Sequence, residues 1–174
     1  MMGKANICVF LHIPDLILTL VPVRFDNLLQ IFKNWGPEYK IEFDITVTKL
    51  PNHWANVFHF THEGTDSKFL SLMINGETKK FRIEEKFTEP HYWDISIELN
   101  KKYHFVIETQ YIANTRYRFN ILVDKNRIAH EDFTKKPAPL VNVLLYASDP
   151  WKTSSFDYEH GTLENFTVIT SEIN

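Results

Sequence analysis

A chain of 174 residues with 44% hydrophobic and 14% aromatic side chains fits one domain that buries roughly two-thirds of its unfolded surface, so its core needs neither a metal nor a disulfide. The 19 basic and 22 acidic residues are interspersed and sum to −3, which excludes the electrostatic footprint of a nucleic-acid or anionic-membrane binder. Cys8 is the one cysteine, which excludes an internal disulfide and a cysteine-based zinc cluster, and fourteen phenylalanines favour strands over a helical bundle.

Residues 7–23 are apolar and follow Lys4, as in a secretory signal, but His12, Pro14 and Asp15 interrupt a run already too short to span a bilayer. The other reading of this stretch is an edge strand over residues 16–21, fenced by Pro14 and Pro22. The chain therefore divides into an apolar segment, 1–25, and a β domain, 26–174. Within residues 26–34, Leu28, Leu29, Ile31 and Phe32 carry the one helical spacing in the sequence. Residues 39–48 then alternate Ile41, Phe43, Ile45 and Val47 against Glu42, Asp44, Thr46 and Thr48, giving a strand with one core face.

After the turn at Leu50-Pro51-Asn52, residues 54–62 set Trp54, Asn56, Phe58 and Phe60 opposite Val57 and His59. Residues 69–74 lead into Asn75-Gly76, a strong hairpin signal, with residues 79–87 returning. Trp93, Ile95, Ile97 and Leu99 alternate inward, and residues 103–112, 116–124 and 127–133 follow as strands separated by Asn-rich turns. Residues 141–146 are continuously apolar, while residues 162–170 alternate Leu163, Asn165 and Thr167 against Glu164, Phe166 and Val168. About ten to twelve short strands with frequent turns define an all-β sandwich or barrel.

Between the last two strands stands Tyr146-Ala147-Ser148-Asp149-Pro150-Trp151, followed by Gly161, Leu163 and Asn165. This pattern resembles the closing motif of the laminin-G-like and concanavalin A-like β-sandwich families, particularly short animal extracellular modules, and the resemblance runs from Asp26 to Thr170. It implies an antiparallel two-sheet jelly roll in which residues 26–34 are extended, secretion, and calcium bound by rim loops in some members, with Asp66, Asp149, Asp157 and Glu159 as oxygen donors here. It also implies a recognition or adhesion role without catalysis. The expected binding residues are Trp151, Asp149 and Tyr158, joined by Trp54 and Asp66, because aromatic rings stack on sugar C–H faces while carboxylates accept from hydroxyls. The same aromatics suit a protein partner. Asn165-Phe166-Thr167 is a glycosylation sequon. An alternative is a structural protein that self-associates through free sheet edges or the N-terminal strand.

Other chemistries fit less well. Concanavalin A-like hydrolases carry Glu-x-Asp followed by a second Glu, but after Glu42 and Asp44 this chain has Thr46 and Val47, so no acid partner exists. His53, His59 and His62, with Glu63 and Asp66 nearby, have strand spacing that splits His59 from His62 across two faces, so His59 reads as a partly buried strand residue. No Gly-rich phosphate loop or Gly-x-Ser-x-Gly elbow is present.

Overall fold

A computed structural model describes residues 14–62, 68–86, 91–148 and 156–171. They form twelve strands: β1 (Leu16–Val21), β2 (Leu28–Trp35), β3 (Tyr39–Val47), β4 (Trp54–His62), β5 (Lys68–Asn75), β6 (Lys80–Glu85), β7 (His91–Ser96), β8 (Lys102–Ala113), β9 (Arg116–Val123), β10 (Asn126–Phe133), β11 (Leu140–Tyr146) and β12 (Gly161–Thr170). There is no helix among the described residues. One sheet has the order β1-β12-β3-β8-β9-β10 and the other β2-β11-β4-β5-β6-β7, all pairings being antiparallel. The closing strand β12 thus lies between β1 and β3.

Alternation builds the core. Ile41, Phe43, Ile45 and Val47 are all 0% exposed, and the residues between them are half-buried on the other face. Phe43 stacks on Phe105 beside it, with centroids 5.0 Å apart, and meets Phe58 of the opposite sheet edge-on at 5.1 Å, so one ring ties the two layers together. At one end Trp35 is enclosed by Phe32, Tyr39, Phe60 and Phe69 at 5.0–5.4 Å.

The structure decides or corrects five local readings. Residues 28–35 are the edge strand β2, the extended form that the resemblance implies and not the helical turn that the spacing suggests, because Phe32 and Trp35 pair into β11 and both reach the core, with the register slipping beside Leu145. In β12 the strict alternation fails: an extra residue between Glu164 and Thr167 makes a bulge, with Asn165 at φ 51°, and Leu163, Phe166 and Val168 all point inward. A second bulge at Val57 leaves Trp54 and Asn56 on the outer face of β4 while Phe58 and Phe60 enter the core. Leu99 is 46% exposed, since β7 ends at Ser96 and the chain turns before reaching it. His59, expected to be partly buried, is fully buried, with its ring stacked on Tyr146 at 5.3 Å.

The Asn75-Gly76 hairpin forms with a four-residue connection: Asn75 pairs with Lys80, the Asn75 Oδ1 accepts from the Thr78 N–H at 3.0 Å, and Lys79 takes the left-handed conformation. Gly76 is needed for space, since a Cβ there would stand 1.6 Å from the Pro51 carbonyl oxygen.

Candidate functional site

The outer face of the second sheet carries a grouping of aromatic and charged side chains, of which Lys80, Arg82, Glu84, Tyr92 and Asp94 reach solvent while the polar residues toward β4 and β5 are buried. Because Leu72, Ile74, Phe81 and Ile83 face the core, and Trp93 and Ile95 pack against it, the alternate residues of β5, β6 and β7 face outward. Register aligns them in three rows across the strands: Trp54, Asn75, Lys80 and Ser96; then Asn56, Met73, Arg82 and Asp94; then His59, Ser71, Glu84 and Tyr92. Tyr146 of β11 continues the third row beside His59.

Arg82 is the centre of this face. Its guanidinium carbon lies 4.6 Å from the Trp54 ring centroid and 4.3 Å from that of Tyr92, so the cation is held between two rings. Its Nε donates to Asp94 Oδ1 at 2.8 Å and its Nη2 to Asp94 Oδ2 at 3.0 Å, a bidentate pair. The hydrogen bond from Arg82 holds the Asp94 carboxyl below the usual carboxylate range, with the Arg82 and Lys80 charges adding to it, and the same pair raises the guanidinium further. Tyr92 is 63% exposed while Trp54 is half-buried, so the tyrosine ring is the accessible platform and the tryptophan its support. Asn56 Oδ1, Ser71 Oγ and Ser148 Oγ are buried without a hydrogen-bond partner among the described residues.

Of the binding residues expected from sequence, Trp54 belongs to this face. Tyr158, 80% exposed, sits in the turn at the same end: Phe156 N–H donates to the Asn56 carbonyl at 2.9 Å, and the His160 carbonyl accepts from Thr48 N–H at 2.8 Å. Asp149, Trp151 and Asp66 lie outside the described residues; His62 and Lys68, on either side of Asp66 in sequence, stand at the far ends of β4 and β5 from Trp54. For calcium, Asp157 Oδ1 already accepts from the Glu159 N–H at 3.0 Å and contacts His160 Nδ1 at 2.7 Å, which is a turn-capping role, and Glu159 is exposed. Among the described residues no group of three His, Cys, Asp or Glu side chains is arranged to hold a metal ion.

The opposite sheet presents a different outer face. Asp44 Oδ1 lies 2.8 Å from His104 Nδ1, Glu42 Oε1 lies 3.3 Å from His104 Nε2, and Asn165 Nδ2 donates to Asp44 Oδ2 at 2.8 Å. Lys40 also bonds Glu42. Burial opposes ionisation of Asp44, yet the hydrogen bonds from Asn165 and His104 keep its carboxyl below the usual range. Each carboxylate of the Glu42-Phe43-Asp44 stretch is thus occupied by side chains of its own face.

Arg82 and Asp94 were not legible as a pair in the sequence. Their meeting depends on the register between β6 and β7, and the clue was the alternation of Lys80, Arg82 and Glu84 against Tyr92 and Asp94 across an even number of residues.

A twelve-stranded antiparallel sandwich with a decorated outer sheet face defines a concanavalin A-like jelly roll. Solved structures agree on this fold. A native heptameric pentraxin from Limulus polyphemus matches with TM-score 0.57 at 10% identity over 91% of this chain and 77% of its own. A sialidase from Trypanosoma rangeli in complex with sialic acid matches with TM-score 0.56 at 17% identity over 87% of this chain but 27% of its own, and an alginate lyase with TM-score 0.52 at 12% identity over 83% and 73%. The chain therefore spans about a quarter of the sialidase it resembles. No protein-family model and no curated protein sequence matches it.

Proposed function

We propose that this chain is a non-enzymatic carbohydrate-recognition module whose ligand lies on the outer face of the second sheet. One observation carries the reading: Tyr92 offers an open ring, backed by Arg82 and Trp54, beside the accessible Ser96 hydroxyl and the charged groups of Lys80, Arg82, Glu84 and Asp94. A pyranose stacks its C–H face on such a ring while nearby polar groups take its hydroxyls. The ties of Glu42 to Lys40 and of Asp44 to His104 and Asn165 support the non-enzymatic part of this reading, because each carboxylate is engaged by its own neighbours. Structural neighbours with sialic acid bound or with alginate lyase activity are consistent with a sugar ligand. The test is a glycan array probed with the wild type and with Trp54→Ala/Tyr92→Ala, both checked by circular dichroism. Binding by the wild type that the folded variant loses supports the reading; equal binding by both moves the ligand elsewhere.

A second reading, self-association, rests on β1. This edge strand, LILTLV, has no charged residue, and its Ile17 and Leu20 are 64% and 62% exposed, whereas the edge strand β10 carries Arg127, His130, Glu131 and Asp132. Sedimentation showing concentration-dependent oligomers that Leu18→Pro abolishes favours it; a monomer at high concentration removes it.

A further inference from the structure

We propose that Asp94 masks the charge of Arg82 and so sets the site's specificity for uncharged sugars; this rests on the carbohydrate reading above. An arginine between two rings on a ligand face would ordinarily recruit a sugar carboxylate, because its fork matches that group in two parallel hydrogen bonds. Here the fork is already filled. Nε and one Nη2 hydrogen are taken by both oxygens of Asp94, and Lys80 Nζ stands 3.8 Å from the same carboxylate. A uronic or sialic acid would have to break this bidentate pair and then place a second carboxylate beside Asp94, where like charges repel.

The remaining chemistry suits a neutral ligand. A guanidinium carries five N–H donors, so three are left for hydroxyl oxygens once Asp94 is satisfied. Within the three rows two bases, Lys80 and Arg82, stand against two acids, Glu84 and Asp94, so these described residues together carry no net charge with which to steer an anion. The exposed ring of Tyr92 attracts C–H bonds through its face, and its phenol is an uncharged donor that serves a sugar hydroxyl as readily as a carboxylate. Asp94 is therefore a positioning and specificity-determining residue: it holds the guanidinium between Trp54 and Tyr92 and cancels its charge.

The experiment compares calorimetric titrations of the wild type and Asp94→Asn with two probes of equal length, a glucose tetrasaccharide and a glucuronate tetrasaccharide, at low and high salt. The wild type should bind the neutral probe at least about tenfold more tightly than the acidic one, with little salt dependence. Asp94→Asn keeps the shape of the side chain and one acceptor but unmasks Arg82. It should raise affinity for the glucuronate probe by about tenfold or more, and that gain should fade in high salt. A wild type that prefers the acidic probe, or an Asp94→Asn ratio equal to that of the wild type, overturns the inference while leaving the carbohydrate reading intact. Binding of neither probe, nor of any glycan on the array, overturns the parent reading and this one with it. Should Asp94→Asn fail to fold, the wild-type preference and its salt series decide the question alone.

Discussion

Replacing Asn165 isolates the bulge that sets the phase of β12. Asn165 occupies the left-handed region at φ 51°, and its Nδ2 donates to Asp44 Oδ2 at 2.8 Å. Holding an alanine in that conformation costs about 1–2 kcal/mol. Losing a partly exposed amide–carboxylate hydrogen bond costs about 1 kcal/mol. Asn165→Ala should therefore destabilise the fold by about 2–3 kcal/mol, a fall in Tm of about 5–10 °C for a domain of this size. Asn165→Gly loses the hydrogen bond and gains chain entropy in the unfolded state, yet accepts the backbone without strain, so its cost should stay near 1–1.5 kcal/mol. Urea unfolding of the wild type and both variants at pH 7 measures the difference directly. The reasoning fails if alanine is as well tolerated as glycine, because the strand would then be regular and Phe166, three residues from Leu163, could not share its inward face.

Other consequences are as specific. Gly76→Ala should cost about 3 kcal/mol or more by thermal melting, since its Cβ would collide with the Pro51 carbonyl, even though Gly76 has no unusual φ. Ser71→Ala should leave stability unchanged or slightly higher in urea, because it removes a buried hydroxyl that has no partner among the described residues. Asp94 and Asp44 have carboxyls held low in the fold, so the stability they contribute is present above their unfolded pKa of about 3.9 and is lost as pH falls through the lower folded values. Acid titration followed by circular dichroism should show a shallower loss of stability below about pH 4 in Asp94→Asn than in the wild type. Burial pushes the Tyr39 phenol far up, with the Glu85 charge adding to the effect against a hydrogen bond to Thr109. Its ionisation should consequently appear only as the fold opens above about pH 10, and Tyr39→Phe should remove one such late-titrating group from the ultraviolet difference spectrum.

What the sequence made legible was set by how local the information is. The β3 pattern around Phe43 states its own burial, because a two-residue period cannot hide its core face, and the Asn-rich turns mark where strands end. The bulges at Val57 and Asn165 were illegible because they arise from pairing with a partner strand; in each, an inserted residue resets a phase that looks continuous in one dimension. Strand β2 shows the same limit, with Leu28, Leu29, Ile31 and Phe32 spaced as on a helix while β11 draws them into a sheet. The site divides likewise. Trp54 could be picked out as an aromatic next to a turn, and Tyr158 as an aromatic in a polar loop. Arg82 and Asp94 sit twelve residues apart in ordinary strands and acquire meaning when β6 and β7 align.

The most direct test of a ligand on the second sheet is backbone-amide NMR during titration with whichever oligosaccharide the array selects. Shifts should concentrate at Trp54, Arg82, Tyr92 and Asp94, while Glu42, His104 and Glu108 on the other outer face stay still. Shifts confined to that opposite face, or spread along β1, would contradict that placement.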